Sequence, residues 1–259
     1  MKFFLYLKDK RLPYVEGYLK QRNFLTKAFD EQELQEIQKG DFVILSPAYK
    51  WSESVVINMS SNITIFAGNI SEEHKQVFES KNIKYLNIML NEDFVLKNAT
   101  LTAEGMLCDL ILNTSSSMYN QKILIIGSGR VAKAVGYLFY KLDLNFDFTM
   151  RNEKEFNLTK LYAKNCVDWS EYKNRLKDYD VVINTVPAVL FNEDDLNKFK
   201  KDCTVFELAS KQCLEGLNIK SFNYVLCPAL PSKYTAKTAG NLIVGIVKNY
   251  LTKGEIEWT

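Results

Sequence analysis

Histidine is almost missing from this chain: His74 is the single one in 259 residues. Schemes that need an imidazole base beside a nucleophile or a hydride donor therefore have one candidate at most. No Ser–His or Cys–His constellation can be assembled around a sheet edge. Cysteine is sparse as well. The five present, Cys108, Cys166, Cys203, Cys213 and Cys227, are odd in number and form no C-x-x-C pair. That disfavours a disulfide framework and a zinc ribbon, and it points to a reducing cytoplasm. No His/Cys/Asp cluster supports metal catalysis. Charge of one sign is also scarce: 33 basic against 31 acidic side chains leave a net +2. Nucleic-acid binding, which needs a clustered basic surplus, is not expected. The longest apolar runs, 3–7 and 123–126, are strand-sized, well below the ~18 residues of a membrane span. The opening stretch 1–9 carries charge too soon for a signal peptide and reads as a first strand.

What remains is a globular composition, 47% hydrophobic and 25% charged, in a length that suits one to two domains. Short apolar runs alternate with helical stretches. Strands are expected at 3–7, 42–45, 63–66 and 83–88, with helices at 16–23 and from Ser71, with acidic Glu72 and Glu73 in the first turn, to about 81. A longer helix is expected over 101–112, beginning at Thr100 or Thr102, followed by the polar linker 113–117. Further strands fall at 122–126, 146–150, 181–184, 205–208 and 224–226, with helices at 130–142 and 237–251. This order predicts an α/β protein with parallel sheets. The expected organisation is an N-terminal α/β domain, 1–100, completed by a returning C-terminal helix, 237–259. A linking helix and a Rossmann dinucleotide-binding domain occupy 101–236.

The strongest chemical signal is Gly127-Ser128-Gly129-Arg130-Val131-Ala132, a G-x-G-x-x-A directly after an apolar strand and opening a helix. Gly127 permits the tight turn, Gly129 leaves room for a pyrophosphate, and Ala132 lets the helix pack close to the sheet. The helix N-terminus offers N–H groups to the anion. The next strand ends at Met150-Arg151-Asn152, where an NAD enzyme would place a carboxylate on the ribose 2′-hydroxyl. A guanidinium there pairs with a 2′-phosphate instead, so NADP is favoured over NAD.

Ligands of an open α/β sheet sit outside the carboxyl ends of its strands. Three segments are expected there: Asn184-Thr185-Val186-Pro187-Ala188, Leu208-Ala209-Ser210-Lys211, and the run from Cys227 through Lys233 to Gly240. Lys211, Lys233 and Lys237 are cations available to an anionic substrate. His74 is expected on the polar face of its helix between Glu73 and Lys75, outside the chemistry. Proton transfer then falls to lysine, tyrosine, a carboxylate or water.

Taken in order, these motifs resemble the family of the A-type subunit of dipicolinate synthase. They are 98–105 (Asn-Ala-Thr-Leu-Thr-Ala-Glu-Gly), 127–130, Arg151, 184–188, 208–211, 228–231 and 237–240. The resemblance is good over 98–250 and thinner over 1–97. It implies an NADP-linked oxidation of a dihydrodipicolinate-type intermediate to pyridine-2,6-dicarboxylate. It also implies a flavoprotein-like partner, the B-type subunit of dipicolinate synthase, in the mother cell of endospore-forming bacteria, and it leaves room for a homo-oligomer. On this reading Lys211 and Lys237 hold carboxylates, and Thr185 with the Val186-Pro187 turn borders the nicotinamide. Ala209 lies at the same edge. Glu104, at the start of the linking helix, accepts the proton or else charges the helix N-terminus.

The chain departs from the family at three places. Gln212-Cys213-Leu214-Glu215-Gly216 stands where the family has Pro-Gly-Gly-Thr-Asp. Pro228-Ala229-Leu230-Pro231-Ser232 stands for Pro-Gly-Leu-Pro-Gly, and Asp9-Lys10-Arg11 is what remains of Gly-Gly-Asp. Two alternatives stay open: another shikimate-dehydrogenase-like NADP oxidoreductase, and a cofactor-binding scaffold without catalysis.

Overall fold

The structure, a computed structural model, describes residues 1–160, 163 and 165–253, Lys253 by its backbone alone. The part of the expected last helix at 254–259 lies outside the described residues. The chain forms two compact units, Met1–Asn98 with the segment from Pro231 onward, and Ala99–Leu230.

The first unit contains β1 (Lys2–Leu5), α1 (Leu12–Lys20), β2 (Leu25–Ala28), β3 (Phe42–Ile44), α2 (Glu53–Asn58), β4 (Thr64–Ala67), α3 (Glu72–Ser80) and β5 (Lys84–Asn87). The sheet is parallel, in the order β2-β1-β3-β4-β5. The chain passes between units through α4 (Glu92–Asn113). The second unit contains β6 (Ile123–Ile126), α5 (Arg130–Lys141), β7 (Phe146–Thr149), α6 (Glu153–Thr159), β8 (Asn165–Cys166), β9 (Val181–Asn184), α7 (Glu193–Leu196), β10 (Thr204–Glu207) and β11 (Asn223–Leu226). Its parallel order, β11-β10-β9-β6-β7-β8, is that of a doubly wound dinucleotide-binding sheet, with the switch point between β6 and β9. The chain continues through α8 (Leu230–Tyr234) and α9 (Ala236–Lys253). Two parallel α/β units are thus present, as the alternation of strands and helices predicts.

Burial explains why these strands read as unbroken apolar runs. All four residues of β6, and the apolar ones of β7 and β9, are sealed from solvent, as parallel strands covered on both faces must be. In the first unit, Ile243, Ile246 and Val247 of α9 join Leu12, Val15 and Leu19 of α1 in one core. The expected apolar face of α9 is therefore the buried one, with Leu242 and Tyr250 at its margin.

Several elements differ from expectation. Helix α1 begins at Leu12, four residues before the expected start, because Pro13 sits in its first turn, where the missing N–H costs nothing. Helix α4 begins at Glu92, not near Leu101. Asn91 Oδ1 accepts from Phe94 N at 2.8 Å, and Glu92 and Asp93 supply the acidic first turn. Glu104 consequently lies more than ten residues inside the helix and cannot charge its N-terminus. His74 is not on a solvated face. Its Nδ1 accepts from Ser71 N at 3.2 Å in a capping box, and its ring lies 5.4 Å from that of Trp51.

Candidate functional site

The turn after β6 is built by crowding. Gly127 has φ +124°, its N–H donates to Thr149 O at 2.9 Å, and a Cβ there would stand 2.2 Å from Thr185 Oγ1. No other residue fits both the backbone and the space. Gly129 then opens α5 in extended conformation, without a side-chain cap and without an acidic residue in the first turn. A Cβ on Gly129 would meet nothing within 4 Å. The start of this twelve-residue helix thus carries neither a capping side chain nor an acidic residue, and leaves room beside Gly129.

A cavity of about 350 Å³ lies over this turn. Its walls are the 127–129 turn, the end of β7 at 150–152, Trp169, and the 185–187 turn after β9. Arg151 is exposed, its guanidinium carbon 5.5 Å from the Trp169 ring centroid. Trp169 packs on buried Tyr172 at 4.8 Å, so the indole is held from beneath. Asn152 lines the cavity and also caps α6, its Oδ1 accepting from Glu155 N at 3.0 Å. Thr185 is pinned back to β6: its N–H and its hydroxyl both donate to Ile126 O, at 3.1 and 2.8 Å.

Of the residues that the sequence nominates for the cofactor, Gly127, Ser128, Gly129, Arg151, Asn152, Thr185, Val186 and Pro187 line this one cavity. Arg130 and Val131 are in the first turn of α5 and Ala209 follows β10; none of the three is in the cavity wall. Glu104 and Lys211 are exposed within the second unit, and exposed Lys237 is in the first turn of α9 in the first unit.

Two contributors escape the sequence. Trp169 lies in a loop with no motif. Glu207, the last residue of β10, is 3% exposed and accepts from four donors: Asn184 Nδ2 (2.7 Å), Ala209 N (3.0 Å), Cys213 N (2.6 Å) and Tyr224 Oη (3.1 Å). Burial, reinforced by the charge of Glu207, pushes the Cys213 thiol far above the ordinary range, so it stays a neutral thiol beside that carboxylate. The loop that replaces the family's glycine-rich turn is therefore closed by burying Cys213 and Leu214. Among the described residues no cluster is fit to hold a metal ion, and no helix is long and apolar enough to cross a membrane.

Two parallel α/β units, one in dinucleotide-binding order with a glycine turn at its switch point, define the class: an oxidoreductase fold of the dehydrogenase type. The D-lactate dehydrogenase of Escherichia coli shares it, with a TM-score of 0.67 at 14% identity over 99% of this chain and 98% of that one. Within that class the chain resembles the A-type subunit of dipicolinate synthase, in sequence and in fold. It is 23% identical over 244 residues to the Bacillus subtilis (strain 168) protein, covering 85% of this chain and 80% of the relative. The crystal structure of the same subunit from Bacillus halodurans superposes with a TM-score of 0.78 at 20% identity, over 96% of this chain and 98% of that one. A shikimate dehydrogenase (NADP(+)) of Methanococcus maripaludis (strain C6 / ATCC BAA-1332) is 27% identical over 204 residues, 72% of this chain and 67% of the relative. No family model matches the chain.

Proposed function

We propose that this protein is an NADP-dependent oxidoreductase that oxidises a dihydrodipicolinate-type diacid to pyridine-2,6-dicarboxylate, in the manner of the dipicolinate synthases it resembles. The observation that carries the reading is the cavity that joins the glycine turn, the uncapped start of α5, and Arg151. These residues fit a phosphorylated dinucleotide. The first-turn N–H groups of α5 and the space beside Gly129 take the pyrophosphate. Arg151, with no carboxylate at the end of β7 to oppose it, pairs with a 2′-phosphate. Trp169 offers an aromatic face beside it.

When bound, the dinucleotide supplies the acceptor for a hydride. The protein's task is positional, since aromatisation drives the reaction and proximity is worth several kcal/mol. Thr185 and the Val186-Pro187 turn flank the nicotinamide half. Lys211, exposed after β10, holds a substrate carboxylate, and Glu104, exposed in α4 of the same unit, accepts the ring proton. A flavoprotein like the B-type subunit of dipicolinate synthase is the partner that the relatives' name as a subunit suggests, and the cytoplasm is the compartment. The chain's only histidine is committed to the Ser71 cap, which disfavours the imidazole-dependent oxidation of 2-hydroxy acids. The NADP-linked shikimate dehydrogenase relative keeps a second reading, hydride transfer between the same cofactor and a ketone–alcohol pair on a carboxylate-bearing ring.

The test is calorimetric titration of the full chain with NADPH and with NADH. NADPH should bind more tightly, and Arg151→Gln should weaken it about tenfold, the worth of one charge-assisted pair, while leaving NADH unchanged. Equal affinity for the two cofactors, unaltered by Arg151→Gln, would remove the assignment of NADP.

A further inference from the structure

The 185–187 turn is held from behind by a carboxylate that no motif marks. Asn184, fully buried, uses its side chain as a clamp on the turn: Nδ2 donates to Val186 O and Oδ1 accepts from Val186 N, both at 3.0 Å. A side-chain amide can close that ring only if its orientation is fixed. Glu207 fixes it, because the carboxylate oxygen 2.7 Å from Nδ2 can only accept. The same carboxylate gathers Ala209 N and Cys213 N, the two ends of the loop carrying Lys211, and the Tyr224 hydroxyl of β11. Four donors fill a buried group that would otherwise be costly to place there.

Resting on the cofactor reading above, we propose that Glu207 is a positioning residue for the dinucleotide. Acting through Asn184, it fixes the Val186-Pro187 wall, which borders the nicotinamide half. It touches neither the cavity nor the glycine turn. On the adenosine half, Arg151 follows β7, three strands from β10 in the sheet, and no bond links it to Glu207. The glycine turn is independent as well, because Thr185 is anchored to Ile126 O by its own two bonds. Loss of Glu207 therefore loosens one end of the site and leaves the other.

A fragment lacking the nicotinamide separates this from a merely structural role. The full-length wild type, Glu207→Gln and Asn184→Ala are titrated with NADPH and with 2′-phospho-ADP-ribose. Glutamine must point its amide at either the Asn184–Ala209 pair or the Cys213–Tyr224 pair, placing donor against donor. The expected result is a loss of about tenfold in affinity for NADPH with Glu207→Gln, a smaller loss in the same direction with Asn184→Ala, and fragment affinity within about twofold of wild type for both. Equal losses for NADPH and the fragment, or no loss for either, would overturn the role of Glu207 alone. If Glu207→Gln does not fold, Asn184→Ala decides by the same comparison. Wild-type protein that bound neither probe would overturn the cofactor reading, and this inference with it.

Discussion

Ala229 holds the left-handed conformation, φ +51°, at the position where the family carries glycine. An L-residue there costs about 1–2 kcal/mol, partly offset by the lower chain entropy of alanine in the unfolded state. Ala229→Gly should therefore raise stability by about 0.5–1 kcal/mol, read as a rise in melting temperature. The second lost glycine is compensated: Ser232 donates to Asp9 Oδ1 at 2.9 Å. Asp9 also receives Arg11, whose Nη2 lies 2.6 Å from Oδ2, with both side chains about 95% buried. Burial alone would raise the Asp9 carboxyl, but the bonds and charge of Arg11 and the Ser46 hydroxyl outweigh it and hold it at about 2. Because the folded value lies below the unfolded one, Asp9 stabilises the fold above about pH 4. That contribution fades as pH falls toward 2, by roughly 1–2 kcal/mol. Asp9→Asn should lack this part of the acid transition in urea unfolding. It should also lose about 3–5 kcal/mol at neutral pH by stranding Arg11.

Among the elements, α5 meets the second sheet closely enough to require a residue without a side chain one turn after Ala132. A Cβ on Gly136 would stand 2.3 Å from the Phe148 ring, which is itself buried in β7. Gly136→Ala should destabilise the second unit by about 1–3 kcal/mol through overpacking, and denaturant unfolding measures it. This position also shows how far the sequence reaches. The glycine fingerprint was legible because β6 is apolar throughout and the turn chemistry is local. The β3, β4, β9 and β10 strands were legible for the same reason of uniform burial. Strand β2 was not, since as an edge strand it reads Leu-Thr-Lys-Ala with its ends exposed. Nor was Glu207. An acidic residue ending a strand reads as solvent-facing, and only its four donors, two of them from the neighbouring strands β9 and β11, reveal it as a buried hub. Pro13 and the Asn91 cap moved two helix starts because a proline and an asparagine end as many elements as they begin.

At the scale of the whole molecule, both units are parallel α/β sheets, and the chain that leaves the first through α4 returns to it through α8 and α9. The departures from the family motifs lie outside the wall of the cavity over the glycine turn. The altered loop after Lys211 is anchored by Cys213 N to Glu207, and the altered 228–232 segment by Ser232 to Asp9. The most direct measurement is NADP-dependent formation of pyridine-2,6-dicarboxylate from freshly generated hydroxytetrahydrodipicolinate, by this chain alone and then with a B-type flavoprotein partner added. Product in either mixture is the expected result. No product in both, with NADPH measurably bound, would contradict the proposed reaction and leave a dehydrogenase fold serving another substrate.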